Sequence, residues 1–149
     1  MYNNDYFNFS QSKKTSNRLN EIYQSVLNQI EIFSGKKTQL IMAPSEITEI
    51  TGNIESSIIL SQLLYWQDKT NDPEGWIYKT YKDWYEETGL KESQVKKARI
   101  TLKNLGVVET KIKKSHGITK LHYHLNYEVL MEVICSYYKD SNKQKNLFC

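Results

Sequence analysis

Across Gly106 the hydrophobic period of this chain changes, and that change dictates a mixed fold. From Glu92 to Leu105 the residues Val95, Ala98, Leu102 and Leu105 recur at the spacing of one helix face. Beyond Gly106 the spacing drops to two: Val108, Thr110 and Ile112 fall on one side, Glu109, Lys111 and Lys113 on the other. "KSHG" is a hairpin turn signal. The returning strand alternates Ile118, Leu121, Tyr123 and Leu125 with Lys120, His122 and His124, apart from one slip near the turn. A helix must therefore feed directly into a two-stranded ribbon.

The same signals order the rest of the chain. "WIYKT" is a brief extended segment, and Thr80 caps a helix "YKDWYEETG" whose end is set by Gly89. Upstream, Pro44-Ser45 starts a short helix that Gly52 stops. The segment "NIESSIILSQLLYWQDKT" then opens on Asn53 as N-cap; it is apolar almost all round its middle and so reads as the central buried helix, with Ile54, Ile58, Leu60, Leu64 and Tyr65 inward. Two further helices flank this region. One runs from Ser16 through Leu19, Ile22, Tyr23, Val26, Leu27, Ile30 and Phe33; the other, "YEVLMEVICSYYKD", buries Val129, Leu130, Val133, Ile134 and Tyr137. "TQLIM" is a short strand candidate.

The expected class is mainly α with a small β-hairpin (α+β). The expected organisation is a tail over 1–15, an N-terminal helix and short strand over 16–44, a compact domain over 45–126, a C-terminal helix over 127–140 and a tail over 141–149. Short helix, glycine turn, second helix and basic hairpin is the order of a winged helix-turn-helix, in which the second helix enters a DNA major groove and the hairpin tip reaches phosphate. The flanking helices each carry an apolar stripe that either pairs two chains into a homodimer or covers the other within one chain.

Composition excludes more than it selects. Hydrophobic residues at 39% and eleven tyrosines against two prolines argue for a folded globular chain. No apolar run approaches the roughly 18 residues of a membrane span, and no secretory signal opens the chain. Two cysteines, Cys135 and Cys149, make neither a disulfide framework nor a zinc site, which points to a reducing, cytoplasmic setting. No P-loop, G-x-S-x-G, H-E-x-x-H or Cys–His arrangement is present, so an enzyme is not expected, nor a cofactor. His116, His122 and His124 lack a nearby acid or cysteine to complete a metal shell. Trp66 and Trp84 read as core residues rather than base-stacking ones, and the pair Glu86-Glu87 as a solvated helix face.

Charge distribution is the functional signal. The chain carries +3 overall, but residues 91–120 hold nine basic and two acidic residues, a net of +7 that leaves about −4 elsewhere. Opposite its core stripe, the helix after Gly89 presents Ser93, Lys96, Lys97, Ile100 and Asn104, flanked by Gln94, Arg99, Thr101 and Lys103, with no acid between Glu92 and Glu109. A solvated face ordinarily mixes acids with lysines at i,i+4 for its own stability. Their omission fits a face whose counter-charge comes from a phosphate backbone. Lys111, Lys113, Lys114, His116 and Lys120 crowd the hairpin, and Thr80, Tyr81 and Lys82 open a helix whose free N–H groups suit a phosphate. Gln94 has the chemistry for a base edge, and Ile100 for a thymine methyl.

The stretch from Trp76 to Leu130 resembles the winged-helix domain of phage and plasmid replication proteins and DnaD-like primosome proteins of bacteria. The likeness rests on the aromatic strand, "GLKESQVKKA", "LKNLGVVE" and a "YHLN" strand running into a helix. The upstream "PSEITEITGNIESSIILSQLLYW" resembles the segment preceding that domain in replisome organisers. The resemblance implies double-stranded DNA as partner, a role in replication initiation or maintenance of a mobile element, and contact with replication proteins such as a helicase or its loader. Transcription regulators of the MarR and PadR type share the layout, so a dimeric repressor on a promoter palindrome is the alternative. A third class keeps the fold for protein interaction only.

Overall fold

The computed structural model describes residues 21–37 and 41–140, and the chain divides into two units, Met1–Leu40 and Ile41–Cys149. The expected tails over 1–15 and 141–149, the start of the first helix and most of the "TQLIM" strand lie outside the described residues. Of that candidate strand, residues 41 and 42 carry no strand structure.

In the first unit a helix, α1, covers residues 21–34. Its apolar stripe is open: Ile22, Val26 and Ile30 are about half exposed and Phe33 is 83% exposed.

The second unit is mainly helical with a three-stranded antiparallel sheet. Its elements are α2 (Ser45–Thr51), α3 (Ile54–Gln67), β1 (Ile77–Lys79), α4 (Tyr81–Thr88), α5 (Glu92–Asn104), β2 (Val108–Ser115), β3 (Ile118–Leu125) and α6 (Tyr127–Asp140). The caps act as the residue types require. Asn53 Oδ1 accepts from Ser56 N at 2.8 Å. Thr80 and Asp83 form a reciprocal capping box at the start of α4. Gly89 closes α4 at φ 74, a left-handed conformation that costs a residue with a Cβ.

The sheet is ordered β1-β3-β2, so the extended "WIYKT" segment is a true edge strand rather than an isolated piece. Ile77 pairs with Tyr123, Tyr78 with His122 and Lys79 with Leu121, while Val108–Ser115 pairs along the whole of Ile118–Leu125. The turn between β2 and β3 is two residues long, His116 at φ 51 and Gly117 at φ 75, the doubly left-handed form that matches strand twist.

The core lies between α3, α5 and the inner sheet face. Ile59, Leu63, Trp84, Val95, Ala98, Leu102 and Tyr123 are fully buried there. Trp84 Nε1 donates to Tyr123 Oη at 3.0 Å, their rings edge to face, and burial pushes the Tyr123 phenol well up from its ordinary pKa. Trp66 is only half buried, packed against this core. α6 adds Leu130 to the core, with Val129, Val133 and Ile134 packed beside it, and Tyr137 donates to Glu49 of α2. The apolar stripe of α6 is thus largely covered within its own unit.

Three expectations need correction. On α3 the inward face is Ser56, Ile59, Leu60 and Leu63, not Ile54 and Tyr65, which are 59% and 55% exposed. A helix apolar nearly all round has no pattern to set its rotation, and here small serines occupy the crowded side. Ile112, expected inward, is 54% exposed because the hairpin runs on past the core it packs against. Glu87 is not a solvated acid: it pairs with Lys79, itself only 7% exposed, and accepts from Trp66 Nε1 at 3.3 Å. No helix among the described residues is long and apolar enough to cross a membrane.

Candidate nucleic-acid interface

The outward face of α5 is set by its core face. Val95, Ala98 and Leu102 are each 0% exposed, which fixes the rotation and turns Ser93, Lys96, Lys97, Ile100, Lys103 and Asn104 to solvent. Gln94, Arg99 and Thr101 are half buried at the flanks. Ile100 is 61% exposed, an uncovered apolar side chain among lysines.

The charges on this face are not equivalent. Lys96 Nζ lies 2.6 Å from Glu92 Oε1, a pairing that raises the lysine pKa. Lys97 and Lys103 enter no ion pair among the described residues. Gln94 Oε1 accepts from Lys91 N at 2.9 Å and so closes the helix start, while its NH₂ group and the second lone pair of Oε1 are left for outside partners. Thr101 donates back to Lys97 O at 3.2 Å. Arg99 Nε is buried with no hydrogen-bond partner among the described residues.

The start of α4 lies beside this face. Lys96 Nζ sits 5.5 Å from the Tyr81 ring centre. Lys82 is exposed and 3.8 Å from Glu86. The capping box satisfies Asp83 N and Thr80 N, while the other N–H groups of the first turn have no acceptor within the helix.

On the hairpin the register separates the basic residues by face. Lys111, Lys113 and Lys120 lie on the outer face with His122, and Lys114 on the opposite one. Lys113 stands directly across from Lys120, and Lys111 across from His122. Like charges directly opposed in a ladder destabilise it, so the arrangement is one that stability alone disfavours. Lys111 Nζ sits 4.2 Å over the ring of Trp76, which is half buried on the outer sheet face beside His124. His116 is exposed at the turn.

The structure thus gathers Thr80, Tyr81, Lys82, Lys96 and the outer face of α5 on one side, and Lys111, Lys113 and Lys120 on the hairpin. A cavity of about 370 Å³ is lined by Tyr78, Lys79, Thr80, Asp83, Lys120 and His122, and so touches the start of α4 and one hairpin lysine. Tyr78 was not among the residues expected at the site, and only the pairing of β1 with β3 sets it beside His122. Among the described residues no cluster of three His, Cys, Asp or Glu side chains is placed to hold a metal ion. No protein-family model, curated protein or solved structure matches this chain.

Proposed function

We propose that this chain is a winged helix-turn-helix protein that binds double-stranded DNA in the cytoplasm. In this reading it serves replication initiation or maintenance of a phage, plasmid or other mobile element, and brings replication proteins such as a helicase or its loader to their site. It works by binding, with no catalysis and no cofactor. Helix α5 enters the major groove, the first turn of α4 holds a backbone phosphate and the hairpin reaches along the flanking backbone.

The observation that carries the reading is the opposed pair Lys113 and Lys120, together with an α5 face whose Lys97 and Lys103 enter no ion pair among the described residues. The opposed lysines repel one another in the free protein, the α5 lysines forgo the i,i+4 pairs that would support the helix, and a polyanion supplies counter-charge to both. The element order and the sheet order β1-β3-β2 agree with the fold proposed.

A second reading, a dimeric transcription regulator on a promoter palindrome, is favoured by the exposed stripe of α1, where Phe33 is 83% exposed. Genome-wide footprinting separates the two: an origin-like repeat array supports replication, and a palindrome in a control region supports regulation. A chain that protects no DNA would reject both.

A further inference from the structure

The cavity between the start of α4 and the outer sheet face has a feature that DNA contact by surface lysines does not require. His122 lines it, is only 8% exposed, and its Nε2 has no hydrogen-bond partner among the described residues. A buried, unpartnered polar atom is costly unless a ligand or water completes it. Tyr78 stands edge-on to the imidazole with centroids 4.4 Å apart, and Lys120 borders the same space.

We propose that this cavity is a phosphate site in which His122 takes up a proton as the anion binds. Thr80 and the first turn of α4 supply the positive end of a helix, Lys120 supplies fixed charge, and protonated His122 supplies a charge-assisted donor. In the setting of the proposed function the anion is a backbone phosphate of duplex DNA; the same chemistry is carried by free phosphate.

The charged surroundings favour an anion over a cation. Facing His122 are Lys111 and Lys113 from β2, Lys120 from its own strand, Asp72 and Tyr78 from the β1 side, and Asp83 from α4. Asp72 accepts from Tyr78 Oη at 2.8 Å and from Glu74 N at 2.9 Å, and Asp83 accepts from Thr80 N, so both carboxylates are already engaged. Burial holds the free imidazole below its ordinary pKa, and the three lysines push it the same way against a weaker pull from Asp72. An arriving phosphate reverses that field. The proton is therefore taken up between the depressed value and the raised one, and affinity strengthens as pH falls through that window. Uptake of one proton sets a limit of about tenfold in affinity per pH unit.

The test follows the His122 ring resonances of the full chain by NMR across pH, alone, with inorganic phosphate and with duplex DNA. The inference expects a raised His122 pKa with at least one of the two. It also expects duplex affinity at constant ionic strength to rise several-fold from pH 7.5 to 6 in the parent, and much less in His122→Gln. A response to duplex alone assigns the site to backbone phosphate. A response to inorganic phosphate with no duplex binding keeps the site and rejects the DNA reading above. If neither anion moves His122, the phosphate site is wrong, even where duplex binding persists.

Discussion

Helices α3 and α5 pack on one another, yet their sequences encode different things. α3 is apolar nearly all round and buries Ser56 and Ser57 completely, with neither hydroxyl hydrogen-bonded among the described residues. α5 buries a narrow stripe, Val95, Ala98 and Leu102, and gives the rest of its circumference to lysines, hydroxyls and one bare isoleucine. The first helix is built for enclosure and the second for presentation. Amphipathicity, not hydrophobicity, carries positional information: a narrow stripe can seat only one way, whereas an all-apolar helix can seat in several.

The largest expected effect tests the stripe. Leu102→Ala truncates a fully buried side chain and should cost about 2–5 kcal/mol in denaturant unfolding. Ala98→Leu puts bulk at a 0% exposed position in a packed helix pair, and should cost about 1–3 kcal/mol. If Ala98→Leu were neutral, the two helices would not be closely packed there. On α3 the sign reverses. Ser57→Ala removes a buried hydroxyl that has no partner among the described residues and improves helix propensity, so it should leave stability unchanged or raise it by about 0.5–1 kcal/mol.

A smaller effect concerns acid. His122 is kept below its ordinary pKa by burial and neighbouring lysines, so the unfolded chain binds its proton more readily than the folded one. Stability therefore falls as pH drops through about 6.5 toward the depressed value, then levels. Thermal midpoints at pH 7.5 and 5.5 should fall less in His122→Gln than in the parent; equal falls would remove His122 from the account.

Much of this architecture is legible in the sequence, because local rules decide it. The caps at Asn53, Thr80 and Gly89, the α5 stripe and the alternation in β2 each depend on neighbours within one turn or one strand. The rotation of α3 was not readable, since its pattern lacks contrast. Nor was the Lys79–Glu87 pair, which joins a strand to the next helix, or the burial of His122, which exists only because a three-residue strand adds to the edge of the hairpin. Of the candidate site, the α5 face and the two faces of the hairpin were legible. The pairing of Lys96 with Glu92 and the engagement of Gln94 were not, because rotamer choice decides them.

The central claim is that the outer face of α5 presents charge to a polyanion, and salt dependence tests it most directly. Lys97→Ala lies on the exposed side, so its stability should stay within about 0.5 kcal/mol of the parent. Duplex affinity measured from low to moderate salt should fall steeply for the parent, with each neutralised phosphate contributing roughly 0.9 to the log–log slope. Lys97→Ala should bind more weakly and lower that slope by about 1. A parent that shows no salt-dependent duplex binding, or a Lys97→Ala variant with the parent's affinity and slope, would contradict the claim and return the α5 face to ordinary solvation.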